Sequence, residues 1–206
     1  MSQTGVTPSP DTLPYAALKR QLLSKPTPVL PPPPSSASPP TSHAISSLSL
    51  HPSLEAALHL LNDDLPSAHF LVRKMQAAPR WEAMMLHGIL HRIEGDYENT
   101  RAWYRDVQDS EVFRLAWGRE DGLERAMGFV RRVKVLRKER KVEDSKQELK
   151  ELQDESGREI RVVMEFCERE FGTGKVVDAS GVWVQDEKSK GKGSDMVIGG
   201  EGWRQF

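Results

Sequence analysis

A single cysteine, Cys167, in 206 residues excludes an intramolecular disulfide framework and any zinc site built on several thiolates. That scarcity fits a reducing compartment, and a cytoplasmic or nuclear address is expected. Long hydrophobic runs are also missing. No stretch of about 18 apolar residues occurs, so no membrane-spanning helix and no membrane partner are expected. The opening "MSQTGVTPSPDTLPYAALKRQLL" has no continuous apolar segment and no arginine-rich amphipathic pattern, unlike a secretory or organellar leader. Charge of one sign is lacking too: 29 basic and 30 acidic side chains give a formal net charge of −1, so no global field favours nucleic acid.

What is present changes sharply near residue 50. Residues 1–49 are rich in Pro, Ser and Thr, as in "KPTPVLPPPPSSASPPTSH". Proline removes a backbone donor and fixes φ, so a disordered leader is expected over 1–49, with at most a transient helix over 13–23. Pro31, Pro32, Pro33 and Pro34 favour polyproline II and are expected to serve as a solvated spacer; a ligand role for SH3, WW or EVH1 modules is the alternative.

From Leu54 the period becomes helical: Leu54, Ala57, Leu58 and Leu61 recur at i, i+3, i+4 and i+7. Asp64 is placed to cap a second helix that carries Leu65, Ala68, Val72 and Met75. A third, starting at Trp81, is apolar on nearly every side and ends at Gly95. Asp96 then caps a fourth, with Tyr97, Thr100, Trp103, Tyr104 and Val107. Beyond residue 110 two long charged helices are expected within 119–171, bending near 142–145, with Leu123, Met127, Val130 and Val133 on one and Leu149, Leu152, Ile160, Val163 and Cys167 on the other. The fold expected is all-α: two helical hairpins over 52–109 plus the long pair, in one domain over 50–172. A flexible tail over 173–206 is expected to hold a short hairpin around Val176, Val177, Val182, Trp183 and Val184.

The hairpins align at a period of 32 residues, with Leu65 over Tyr97, Ala68 over Thr100, Val72 over Tyr104 and His59 over His91. The second copy weakly resembles the tetratricopeptide pattern through Gly88 and the "GDY" turn at Gly95, Asp96 and Tyr97. A more specific likeness lies in His87, Gly88, His91, Arg92, Glu94, Asp96, Asn99, Trp103 and Tyr104, preceded by Asp64 and His69. This set resembles a family of short proteins of fungi and bacteria with an H-x-x-x-H-R-x-E-x-D-x-x-N-A-x-x-W-[YF] core. Thr100 departs from its Ala. The resemblance covers about a third of the chain and implies no particular activity.

His87 and His91 are one helical turn apart, a spacing at which two imidazoles can share a transition metal. His69 from the neighbouring helix, or Glu94, is placed to complete a set. The hydrolytic HExxH pattern is excluded because Gly88 follows the first histidine. The expected reading is packed or hydrogen-bonded core histidines; a divalent transition metal is the first alternative, and general acid–base chemistry by His91 with Glu94 the second. Cys167, on an apolar stripe, is expected to be a core thiol. "GTGK" at 172–175 lacks the spacing and the Ser or Thr of a phosphate loop.

The one basic cluster, "RRVKVLRKERK", contains Arg131, Arg132, Lys134, Arg137 and Lys138 and has no aromatic residue for base stacking. Phosphate contact is one reading; pairing with the acidic stretch over 143–155 is the favoured one. The function expected first is an intracellular interaction or scaffold module without catalytic residues. Its contact face would use Arg92, Arg101, Trp103, Tyr104 and Arg105, since aromatic and arginine side chains concentrate binding energy. A metal-binding protein or metal-dependent enzyme using His69, His87 and His91 is the alternative, and a nucleic-acid binder is the third.

Overall fold

In the computed structural model, which describes residues 14–138 and 145–183, local caps set most helix boundaries. Helix α3 (Pro52–Leu61) opens on His51, whose Nδ1 accepts from the Ser53 N–H. The Asp64 carboxylate accepts from the Ser67 N–H at 3.2 Å and starts α4 (Leu65–Val72). Helix α5 (Trp81–Glu94) stops at Gly95, whose φ of 89° is left-handed and favours glycine. Asp96 accepts from the Asn99 N–H at 3.2 Å and starts α6 (Tyr97–Val107). Helices α3 and α4 pack as one hairpin and α5 and α6 as the next, with α5 also touching α3 and α4. These are the two hairpins expected over 52–109, and every regular element among the described residues is helical.

The leader departs from expectation. Residues 15–47 contain α1 (Tyr15–Leu23) and α2 (Pro39–Ser47), and Leu18, Leu22, Val29 and Ile45 are all at least 98% buried. Ser38 caps α2, and its prolines occupy the first turn, where a helix needs no N–H donor. The few apolar side chains of a proline-rich segment thus suffice to seat it when a folded surface is ready for them. Between the two helices the chain crosses α9 (Lys146–Phe171), where Ser156 Oγ donates to the Pro28 carbonyl at 3.0 Å. Gly157 lies below Thr27, whose hydroxyl would sit 2.7 Å from any Cβ there. Pro31, Pro33 and Pro34 are exposed.

A short helix that the sequence reading did not anticipate, α7 (Glu111–Trp117), is capped by Ser110 and packs on α8 (Gly122–Lys138) and α9. Of the bend expected near 142–145, only Ser145 is among the described residues, and α8 and α9 pack on each other: Arg132 donates to Glu148 at 2.8 Å and to Glu151 at 2.9 Å. The expected C-terminal hairpin is absent among the described residues. A 3-10 turn (Ser180–Val182) takes its place, held by Arg80 donating to the Gly181 and Val182 carbonyls at 2.9 and 3.0 Å. Val177 is 91% exposed, and Val184 lies outside the described residues. None of the described helices is long and apolar enough to cross a membrane.

One complete ion pair lies in the core. Arg92, on α5, and Glu159, on α9, meet at 2.8 Å with no exposed side-chain area. The other Glu159 oxygen accepts from Tyr104 Oη at 2.7 Å and from Trp117 Nε1 at 2.9 Å, while Arg92 also reaches Ser156 and lies over the Phe129 ring. A buried carboxylate is tolerable only when its lone pairs are filled this way. Five helices are tied to one another at this point, and the opposite flank of α5 carries the histidines.

Candidate metal centre

Helix α4 presents His69, and α5 presents His87 and His91 one turn apart. One ring nitrogen from each lies within 4.8 Å of the other two. His69 Nε2 and His87 Nε2 are 3.2 Å apart. That is hydrogen-bond distance, met when one of the two Nε2 atoms carries a proton, and it is also close to the roughly 3.3 Å between two nitrogens on one tetrahedral zinc.

Glu94 orients one of the outer rings. Its Oε2 is 3.2 Å from His91 Nδ1 and its Oε1 is 3.9 Å from His69 Nδ1. At 3.2 Å Glu94 accepts from His91 Nδ1 and favours the tautomer that leaves its Nε2 as a lone pair, whereas at 3.9 Å it is beyond hydrogen-bond reach of His69. His87 is braced by stacking, with the His91 ring on one contact (centroids 4.7 Å apart) and the Trp103 ring on another (4.6 Å). Gly88 makes that possible: a Cβ there would lie 3.0 Å from Trp103 Cβ and from the Tyr104 ring, so only glycine lets α6 approach this closely.

The electrostatics favour neutral imidazoles. Burial, reinforced by the neighbouring His91 and His69, pushes His87 down to about 2. Burial also lowers His69, against the opposing pull of Glu94. His87 Nδ1 is buried without a hydrogen-bond partner among the described residues, a deficit of about 1–3 kcal/mol. The His87 ring is covered, while the side chains of His69 and Glu94 retain 27% and 34% of their exposure and His91 13%. The cluster therefore opens to solvent on the side of His69 and Glu94.

The structure scatters the face expected to bind a partner. Arg92 and Tyr104 are fully buried in the Glu159 network, Trp103 is half-buried against His87, and Arg101 donates to Glu98 at 2.5 Å. Only Arg105 of the set is exposed. Arginine and aromatic side chains satisfy a buried carboxylate as readily as they bind a partner, so residue type alone did not separate the two. The basic cluster is likewise divided. Arg132 is engaged with α9, Lys134 lies 3.6 Å from Glu98, and Arg137 lies over the Tyr97 ring; Arg131 and Lys138 are exposed. Cys167 is a buried core thiol.

One buried polar group escaped the sequence reading. His59 Nδ1 is 3.1 Å from Asp64, with Glu55 3.9 Å and Ser46 Oγ 3.5 Å from its Nε2. The outline is that of a nucleophile, base and acid. Burial opposes charge on His59, but Asp64 and Glu55 outweigh it and raise its pKa, while Ser46 Oγ stands at the 3.5 Å limit of a hydrogen bond. This cluster is a scaffold, with Ser42 donating to Asp64 at 2.6 Å and Asn62 to Ser42 at 2.9 Å. No family model matches the chain, and no match was found for it among curated proteins or solved structures.

Proposed function

We propose that the protein binds a divalent transition metal of the zinc type through His69, His87 and His91, with Glu94 as the carboxylate that orients the His91 ring. The observation that carries this reading is the convergence of three imidazoles from two helices, two of their Nε2 atoms 3.2 Å apart. Neutral, nitrogen-rich ligands suit zinc and its neighbours and do not suit calcium or magnesium. The His91 nitrogen is the most distant of the three and draws inward on loading. Three protein ligands leave a coordination position open toward the solvent-facing side, where a bound water would be acidified and available as a nucleophile.

The test is metal content by elemental analysis after zinc loading and dialysis, for the wild type and for His69→Ala and His91→Ala. The expected result is one equivalent in the wild type and none in either variant, with helicity by circular dichroism retained because both side chains are partly exposed. Wild-type protein that retains no zinc would refute the proposal.

A further inference from the structure

The leader is seated on both sides of its tetraproline. Before the run, Thr27 lies over Gly157, Ser156 donates to the Pro28 carbonyl at 3.0 Å, and Val29 is only 2% exposed. After it, Ser38 caps α2 while its carbonyl accepts from Asn62 Nδ2 at 3.1 Å. Between these anchors Pro31, Pro33, Pro34 and Ser35 are exposed, and Pro32 is half-buried. We propose that this run is a docking site for a partner protein whose aromatic-lined groove reads uncharged polyproline.

Proline chemistry fixes the shape of the run. Each ring holds φ near about −65°, and a proline that follows bars the helical region, so Pro31, Pro32 and Pro33 are left with polyproline II. Since that helix has three residues per turn, Pro31 and Pro34 share one edge, Pro33 lies on a second and Pro32 on the third. The third edge is the one turned toward the body of the protein, and the other two face solvent. A groove that reads polyproline takes two edges and leaves the third. The carbonyls of Pro31 and Pro32 accept no hydrogen bond from the described residues, which leaves them for the indole N–H or phenol O–H donors of such a groove. The Pro33 carbonyl, by contrast, accepts from the Ser36 N–H at 3.0 Å and from its hydroxyl at 2.9 Å, in the turn that ends the run.

The flanks select among grooves. No Lys or Arg occurs over residues 26–72, so a groove that orients its ligand by pairing a flanking cation with acidic side chains, as in SH3 modules, finds no counter-charge. Lys25 does precede the run, but Thr27 and Val29 lie between and are buried, so it cannot share a groove with the exposed prolines. No Phe, Tyr or Trp follows before Phe70, which leaves nothing for a WW-type groove that takes an aromatic residue downstream. An EVH1-type groove, which packs its aromatic side chains on the prolines themselves, is the form that fits. Held at both ends, the run also loses less freedom on docking than a loose chain would.

Isothermal titration calorimetry of the full chain with a purified EVH1 domain tests the proposal, beside an SH3 domain, a peptide of residues 28–36 and a Pro31→Ala/Pro34→Ala variant. The expected result is that the EVH1 domain binds chain and peptide alike and binds the variant roughly tenfold more weakly. Helicity and thermal midpoint of the variant should match the wild type, because both side chains are exposed. Should that variant lose helicity, Pro33→Ala on the second exposed edge reads the same contact. No binding by the full chain, equal binding in wild type and variant, or a peptide that binds where the chain does not would overturn the docking site. An SH3 domain bound as tightly as the EVH1 domain would overturn the uncharged groove as the partner class.

Discussion

Adjacent side chains on α5 have opposite fates: His91 faces the cluster with Glu94, and Arg92 enters the core to meet Glu159. Removing Arg92 alone leaves a buried carboxylate without its counter-charge, so Arg92→Met should lower unfolding free energy by about 3–5 kcal/mol in urea titrations. A loss below about 1 kcal/mol would mean that Tyr104 and Trp117 suffice for Glu159. Asp64 and His59 make opposite contributions to the pH dependence of the fold. Burial alone would raise Asp64, but hydrogen bonds from His59, Ser42 and Ser67 outweigh it and hold it at about 2. Its contribution is present above the ordinary carboxylate pKa and disappears as pH falls toward 2. His59 is raised, so its contribution is present below about 6.5 and disappears as pH rises through its folded value. Urea midpoints measured from pH 5 to 9 should therefore fall on the alkaline side in the wild type and flatten in His59→Gln; parallel curves would remove His59 from the account.

Among the elements, the hairpins over 52–107 were legible because their signals are local: apolar residues at helical spacing, Asp64 and Asp96 as caps, Gly95 as a stop. Seating of the leader was not legible, since Leu18, Leu22 and Ile45 are isolated apolar residues whose partners lie on α3 and α9. The same limit hid Glu159 as the partner of Arg92, 67 residues away, and with it the burial of Tyr104. His87 and His91 could be paired by spacing, and His69 by the antiparallel hairpin. The role of Glu94 could not be fixed, because it depends on which ring nitrogen it meets. If the leader is structural, Leu18→Ala and Leu22→Ala should each cost about 2–5 kcal/mol, read as a fall in the thermal midpoint. Midpoints unchanged by either substitution would return residues 14–49 to the status of a tail.

At the scale of the whole molecule, the Glu159 network fixes α5 from one side, and α4 with α6 closes on it from the other. The histidines thus inherit positions set by the core, with His87 clamped by Trp103 through the gap that Gly88 leaves. Gly88→Ala should loosen that clamp and weaken zinc affinity while the protein stays folded, as read by competition with a chromophoric chelator. Because a ligand that binds only the folded state stabilises it, zinc at about a hundredfold excess over its dissociation constant should add about 2.7 kcal/mol. That increment should be lost in His69→Ala.

X-ray absorption at the zinc edge, on protein loaded with one equivalent, reads the ligand shell itself. Three imidazole nitrogens at about 2.0–2.1 Å are expected, with the outer-ring scattering that marks histidine, and one oxygen ligand completing a four-coordinate shell. A shell of oxygen ligands without imidazole scattering, or one no different in the His69→Ala/His91→Ala protein, would contradict a three-histidine centre.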